Sequence, residues 1–116
     1  MARRIVVADN DPEIIDLVAT DLRAEGHDVV AGVLTGDEAL RACQEHRPDV
    51  LVLDYRMPPG PNGLETARRA RALLPHMTVV IYTNYRAADI RNEAEQIGAR
   101  FLLKGNIRAL RRAVDT

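Results

Sequence analysis

The sequence contains a single cysteine, Cys43, among its 116 residues. One thiol can form neither an intramolecular disulfide nor a CxxC site for metal or redox chemistry. Cys43 lies among small apolar residues, and free cysteine is one of the most frequently buried residue types. We therefore expect it to be a core residue, and the cysteine content excludes a disulfide scaffold.

The chain also lacks an excess of charge of either sign. Its 16 basic and 17 acidic residues give a formal net charge of −1, whereas a domain that binds nucleic acid through its electrostatics carries a basic excess. No recognition helix or aromatic platform accompanies Arg108, Arg111 and Arg112, so we interpret them as a solvated face of the last helix. The sequence therefore predicts no direct contact with nucleic acid.

Long apolar runs are absent too. The first run stops at Asp9, short of the roughly 7–15 apolar residues of an export segment, and no stretch approaches the ~20 residues of a membrane span. We therefore expect a cytoplasmic protein that does not contact the membrane. There is no repeat, low-complexity tract or linker, so residues 1–116 are predicted to form one domain.

Five short apolar runs are the main feature that the sequence does contain. They are rich in Val, Ile and Leu and do not alternate with polar residues, as is typical of strands that are covered on both faces of a parallel sheet. The runs are Ile5–Ala8, Val29–Leu34, Val50–Leu53, Val79–Tyr82 and Phe101–Leu103.

Segments with helical spacing lie between and after these runs. In the first, Ile15, Val18, Ala19 and Leu22 form one apolar stripe, which begins after an Asp11-Pro12 cap and ends at Gly26. The others cover about residues 36–46, a segment from Gly63 to before Pro75 with Leu64, Ala67 and Leu74 inward, a segment with Ala87, Ile90, Ala94 and Ile97 on one face, and a last one with Ile107, Leu110 and Val114. Five alternations of strand and helix predict an α/β fold with right-handed crossovers and helices on both faces.

Polar residues follow four of the five predicted strands. Since ligands bind outside the carboxyl ends of parallel strands, we expect these residues to share one edge of the sheet. Two ionised carboxylates about 5 Å apart repel by about 3 kcal/mol at an effective dielectric near 20; Lys104 and an oxygen-seeking ion such as Mg²⁺ would offset this repulsion. The residues are Asp9, Asn10 and Asp11 after the first strand, Asp54 after the third, Thr83 and Asn84 after the fourth, and Lys104 after the fifth.

These motifs together resemble the receiver domain of two-component response regulators over essentially the whole chain. Four segments carry the resemblance: residues 5–12, residues 49–58 followed by Asn62-Gly63-Leu64, residues 79–85, and residues 98–104. The resemblance implies a (βα)5, flavodoxin-like, doubly wound sheet of five parallel strands in the order 2-1-3-4-5.

The resemblance also implies site residues. Asp54 would be the phosphoacceptor and form an aspartyl-phosphate. Asp9 would ligate Mg²⁺ together with Asp54 and the backbone carbonyl of Arg56, which leaves the Arg56 side chain free, and Asn10 would contribute weakly or through water. Lys104 would pair with the phosphoryl group, and Thr83 would donate a hydrogen bond to it.

The implied function is signalling rather than enzymatic turnover. A histidine kinase or phosphotransfer protein would phosphorylate Asp54, and Phe101 would change rotamer as Thr83 shifts. The surface of the fourth helix, fifth strand and fifth helix would then contact an output domain, in some regulators one that controls transcription, or an effector protein or a second copy of the chain. The other interpretation of Phe101 is a plain core residue.

Three features depart from the family pattern. Asn10 stands where a second acid is usual, so we expect weaker Mg²⁺ binding than in a pocket with two acids. The loop after Met57 is rich in proline, which would stiffen the approach to Asp54. Gly105 replaces the proline that often follows the lysine, so no cis-proline is expected there.

Three alternatives remain open at this point. The chain could be a degenerate receiver used only as a protein-binding module, for which Asn10 is the supporting feature. It could be a haloacid-dehalogenase-like phosphatase with Asp9 as nucleophile, although Glu13 is unusual for that family and a later acidic pair is absent. A flavodoxin is disfavoured because Asp9 and Asp11 would repel the flavin phosphate.

Overall fold

Five strands alternate with five helices in a computed structural model that describes residues 2–115. Residues 1 and 116, the ends of the predicted domain, lie outside the described range. The predicted α/β class and the alternation are confirmed. In chain order the elements are β1 (Arg4–Ala8), α1 (Pro12–Ala24), β2 (Asp28–Val33), α2 (Gly36–His46), β3 (Val50–Leu53), α3 (Gly63–Leu73), β4 (Thr78–Thr83), α4 (Ala88–Gln96), β5 (Arg100–Leu103) and α5 (Ile107–Asp115).

The strands form one parallel sheet in the order β2-β1-β3-β4-β5, as the resemblance implied. The chain reverses direction across the sheet between β1 and β3, which are neighbours: β1 leads outward to β2, whereas β3 leads to β4 and β5. In doubly wound sheets this switch point opens a crevice at the carboxyl ends of the strands. Asp9 and Asp54 directly follow the two strands that flank this point.

Alternate residues of each strand enter two separate hydrophobic clusters, one on each face of the sheet. Val6, Leu51 and Ile81 pack with residues of α2, α3 and α4 on one face. Val7, Val52 and Val80 pack with residues of α1 and α5 on the other. Burial on both faces explains why the strands read as continuous apolar runs.

Short polar side chains begin most of the helices. Asp11 accepts a hydrogen bond from the backbone N–H of Glu13, Thr35 from Glu38, and Asn62 from Glu65, and each bond satisfies an N–H that would otherwise lack a helical partner. The prediction that Asp11 caps the first helix is thereby confirmed. Cys43 is fully buried, as predicted, and burial raises the pKa of its thiol to about 11.

The predicted boundaries were wrong by one or two residues at several ends. The second strand stops at Val33, and Leu34 lies outside it with 44% of its surface exposed. Ala87 is the N-cap of α4 rather than a residue of the helix, and Leu74 is the C-cap of α3. Apolar periodicity does not show where a helix or strand ends, because the residues just beyond its ends also contact the core.

Within residues 2–115, none of the helices combines the length and the apolar character that a membrane crossing would require.

Candidate functional site

Lys104 joins the two acidic strand ends into one cluster. Its ammonium nitrogen lies 2.8 Å from Oδ2 of Asp9 and 3.1 Å from Oδ2 of Asp54. The side chains of all three residues are largely buried, with Lys104 the most accessible at 12% exposure. The predicted gathering of these charges at one edge of the sheet is therefore confirmed, with one cation between two carboxylates.

Burial, hydrogen bonds and charge shift the pKa values of Asp9 and Lys104. Burial raises the pKa of Asp9 above its usual value, and the hydrogen bonds from Lys104 and from the backbone of Asp11 offset only part of that effect. Burial alone would lower the pKa of Lys104, but hydrogen bonds and charge from Asp9 and Asp54 outweigh it, and the pKa is raised. The ammonium is therefore held in its charged form, and its positive charge offsets the negative charge of the neighbouring carboxylates.

Backbone hydrogen bonds fix the two carboxylates at the ends of their strands. The N–H of Asp54 donates to the carbonyl of Ala8, at the end of β1, and so ties the two strand ends together. Oδ1 of Asp9 accepts from the N–H of Asp11 at 2.9 Å, and Oδ1 of Asp54 accepts from the N–H of Tyr55 at 2.7 Å. Each carboxylate thus has one oxygen bound to the backbone and the other, Oδ2, directed at Lys104.

A cavity of about 190 Å³ opens over Asp54 and is lined by polar side chains from three strand ends. Thr83, 2% exposed, closes β4 and lines this cavity together with Asn84 and Lys104. The hydroxyl oxygen of Thr83 accepts a hydrogen bond from the N–H of Tyr85 at 3.2 Å, and its carbonyl accepts from the N–H of Lys104. Thr83 therefore connects the cavity to the loop that leads to α4.

Arg56 and Tyr85 also line this cavity, and Tyr55 contacts Tyr85. The rings of Tyr55 and Tyr85 have centroids 5.1 Å apart, and the guanidinium of Arg56 lies 5.0 Å from the centroid of Tyr85. The Arg56 side chain therefore contacts an aromatic ring, since a cation over an aromatic face is attracted by the quadrupole of the ring; that it takes no part in binding a metal stays a prediction. The role of the Arg56 backbone carbonyl stays a prediction.

The donors available for a metal are the oxygens of this cluster. Across residues 2–115, no group of three or more His, Cys, Asp and Glu side chains is arranged to hold an ion; the acidic side chains joined by Lys104 are the two carboxylates of Asp9 and Asp54. Mg²⁺ commonly binds through one or two carboxylates and keeps several waters, and the cluster fits that ion. Exposed Asn10 lines a second cavity, of about 420 Å³, which shares Arg56 with the first.

Asp11, predicted to gather with the other acids, has a structural role instead. Its carboxylate caps α1, and only its backbone N–H contacts the cluster, through Asp9.

A cis peptide bond lies between Pro58 and Pro59, in the proline-rich loop. The residue after Lys104 is Gly105 with φ of +99° and no cis bond, as expected.

Gly63 is a site residue that the sequence did not indicate beyond its place in a motif. Its N–H donates to the carbonyl of Tyr55 at 2.7 Å, which brings the start of α3 against the chain that follows β3. A Cβ at this position would lie 2.2 Å from the backbone oxygen of Asp54 and 2.8 Å from Cα of Tyr55. Glycine at this position therefore permits the start of α3 to pack closely against the backbone of Asp54 and Tyr55.

Phe101 lies on β5, half-buried against the cluster that α4 covers. The guanidinium of Arg91, on α4, lies 5.3 Å from the centroid of its ring. The ring is therefore neither a plain core residue nor a fully exposed one. Its role as a switch stays a prediction.

Comparison with known proteins shows the family to which the chain belongs. A family model described as the response regulator receiver domain matches residues 5–115. The DNA-binding response regulator MtrA of Mycolicibacterium smegmatis is 43% identical over 72 residues, which are 62% of this chain and 31% of that protein. The chain therefore aligns with less than a third of that relative's length.

Solved structures show the same fold. The signal receiver domain of a Mycobacterium tuberculosis protein assigned as the response regulator NarL is 34% identical, with a TM-score of 0.89 over 97% of this chain and 93% of that one. A CheY-like receiver domain protein from Methanospirillum hungatei is 25% identical, with a TM-score of 0.90 over 99% of this chain and 92% of that one. This chain belongs to the response regulator receiver domain family of two-component signalling proteins.

Proposed function

We propose that Asp54 is the phosphoacceptor of this receiver domain. The observation that carries the proposal is the Lys104 ammonium, which lies between Asp54 and Asp9 at the floor of an open cavity. The cation lies beside the Asp54 carboxylate, where it can pair with an incoming phosphoryl group.

The transfer itself uses a carboxylate oxygen of Asp54, which lines the cavity. One carboxylate oxygen attacks phosphorus in line with the leaving group. The P–N bond of a phosphohistidine donor breaks as the new P–O bond forms, and the imidazole leaves with the bonding electron pair. The backbone N–H of Tyr55 holds the carboxylate in one orientation through Oδ1, so that Oδ2 is the reacting atom.

Four groups would ligate Mg²⁺ in the site that we propose: the side chains of Asp9, Asp54 and Asn10 and the backbone carbonyl of Arg56. When bound, the ion supplies positive charge that offsets the charge of the phosphoryl oxygens. The structure supports this with the two carboxylates of the cluster and with the cavity that Asn10 and Arg56 line beside them. No turnover of a substrate is proposed: the domain accepts the phosphoryl group and acts as a signal.

A phosphoryl group at Asp54 would accept a hydrogen bond from the Thr83 hydroxyl. That hydroxyl now accepts a hydrogen bond from the N–H of Tyr85, and reorienting it to donate to a phosphoryl oxygen would change the loop before α4. Phe101 would then shift, and the surface formed by α4, β5 and α5 would present a different face to a partner. This surface belongs to a two-state element of the kind that charge placed at one point can bias.

The proposed donor of the phosphoryl group is a histidine kinase or a phosphotransfer protein. The proposed partner that binds the switched surface is an output domain, an effector protein or a second copy of the chain. The MtrA relative is described as DNA-binding. We propose transcription regulation through an attached domain rather than nucleic-acid binding by residues 2–115, since the chain's net charge of −1 provides no basic excess.

Intact mass spectrometry tests the proposal. The protein is incubated with Mg²⁺ and acetyl phosphate, whose P–O bond breaks with release of acetate, beside Asp54→Asn and the exposed-surface control Asp16→Asn. We expect one phosphoryl adduct on the parent and on Asp16→Asn, and none on Asp54→Asn. An unmodified parent would favour the degenerate receiver, and an adduct that persists in Asp54→Asn but disappears in Asp9→Asn would favour the phosphatase chemistry.

A further inference from the structure

Phe101 is the only phenylalanine of the chain, and an exposed cationic side chain contacts its ring. Its ring is half-buried against the cluster that contains Ile81 and Ile90. The guanidinium of exposed Arg91 lies 5.3 Å from the ring centroid. One face of the ring therefore meets the core, and a cation from α4 attracts it away from the core.

The register of the sheet places Phe101 on the same face as Thr83. Phe101 pairs with Ile81, and Thr83 pairs with Leu103. Since side chains two apart on a strand share a face, Thr83 and Phe101 lie on the side covered by α3 and α4. Thr83 is buried and Arg91 is exposed, so a movement of the ring toward Thr83 buries the ring further and separates it from the guanidinium.

The helix that carries Arg91 begins without a side-chain cap. Ala87 is the N-cap of α4 and has no side chain that can accept a hydrogen bond from the first turn. Asp11, Thr35 and Asn62 supply such a bond at α1, α2 and α3, and Asn106 accepts one from Ala109 at the start of α5. The first turn of α4 is therefore held less firmly than those of the other helices.

We propose that Arg91 is a positioning residue that holds Phe101 in the outward position while Asp54 is unmodified. This inference rests on the proposed function, because it assigns the residue that sets the resting balance of that switch. A cation–π contact at an exposed site favours the outward ring by a factor of roughly two to five. Loss of Arg91 therefore raises the ratio of inward to outward rings by the same factor.

A single fluorine resonance reports this ratio. Incorporation of 4-fluorophenylalanine labels only Phe101, and ¹⁹F relaxation dispersion of the metal-free, unphosphorylated protein gives the population of the minor ring position. The variants are Arg91→Met, which keeps an apolar stem over the ring, Arg91→Lys, which keeps the cation, and Arg108→Met, which removes an exposed arginine from α5.

We expect Arg91→Met to raise the minor population roughly two- to fivefold, while Arg91→Lys and Arg108→Met remain close to the parent. An unchanged population in Arg91→Met, an equal change in Arg91→Lys, an equal change in Arg108→Met, or no detectable exchange in any of these proteins would overturn the proposal.

Addition of Mg²⁺ and fluoroberyllate then separates this inference from the proposed function. Saturation should move the resonance toward the minor position, and Arg91→Met should need roughly two- to fivefold less fluoroberyllate because the two equilibria are linked. A resonance that does not respond in any variant contradicts phosphoacceptance at Asp54, whereas a response of equal midpoint in parent and Arg91→Met contradicts only the role of Arg91.

Discussion

Replacing Lys104 with methionine removes the cation of the site and keeps most of the length of its stem. The ammonium lies 2.8 Å from Asp9 and 3.1 Å from Asp54, and each pair corresponds to about 5–6 kcal/mol of attraction at an effective dielectric near 20, before desolvation is subtracted. Breaking a buried ion pair typically costs about 3–5 kcal/mol, because the remaining charge stays buried without a partner. We expect the free energy of unfolding of Lys104→Met at pH 7 to fall by about that amount.

The loss should shrink as the pH falls. The pKa of Asp9 is already raised by burial in the parent, and the hydrogen bond from Lys104 is one of the contacts that limits the rise. Without Lys104 the pKa of Asp9 rises further, so the folded protein binds a proton more readily than the unfolded chain at pH values above 3.8. Stability therefore increases as the pH falls through the folded pKa, and the variant regains part of what it lost.

Urea unfolding followed by circular dichroism at pH 7 and at pH 4.5 measures both effects. The double variant Asp54→Asn/Lys104→Met is the matched control, because it leaves one carboxylate in the place of two and should be less destabilised relative to Asp54→Asn. A Lys104→Met protein within about 1 kcal/mol of the parent at pH 7, or a deficit of the same size at both pH values, would refute the reasoning, since either result means that Lys104 does not compensate buried carboxylates.

Three further predictions concern the same site. Lys104 is the only lysine of the chain, so NMR of labelled lysine measures its pKa directly. We expect a pKa above 10.5 in the parent and a lower pKa in Asp54→Asn, and equal values in both proteins would contradict this. The stabilisation that the charged lysine provides is present below pH 10.5 and is lost as the pH rises through the folded pKa. Asn10→Asp should bind Mg²⁺ at least roughly tenfold more tightly by calorimetry, since a carboxylate about 5 Å from a divalent ion is worth several kcal/mol at an effective dielectric near 20; unchanged affinity would exclude a role for position 10 in the metal site. Gly63→Ala should lose about 2 kcal/mol or more of unfolding free energy, because the new Cβ meets the backbone of Asp54; a loss below about 0.5 kcal/mol would show that α3 moves away freely.

The sheet and the placement of its polar ends could be predicted because both depend on local patterns. Apolar runs covered on two faces mark parallel strands, and parallel topology then brings residues after separate strands to one edge. Asp9, Asp54, Thr83 and Lys104 were found in this way, although they are far apart in the chain. The side-chain contacts that join them follow from the fold and have no local signal of their own.

The contacts of Arg56 and Arg91 could not be predicted in this way. Both lie at exposed or partly exposed positions outside the apolar periodicity, and their aromatic partners, Tyr85 and Phe101, come from other elements. Gly63 was missed for a related reason. Its importance lies in the backbone that passes close to it, and only the folded chain shows that approach.

The central claim is that the phosphoryl group is carried by Asp54, and borohydride reduction of the phosphorylated protein tests it most directly. Borohydride converts an acyl phosphate of aspartate to homoserine, and peptide mass spectrometry then locates the change. We expect homoserine at position 54, and only after incubation with Mg²⁺ and acetyl phosphate. Homoserine at position 9, or at neither position in a protein that carries the phosphoryl mass, would contradict it.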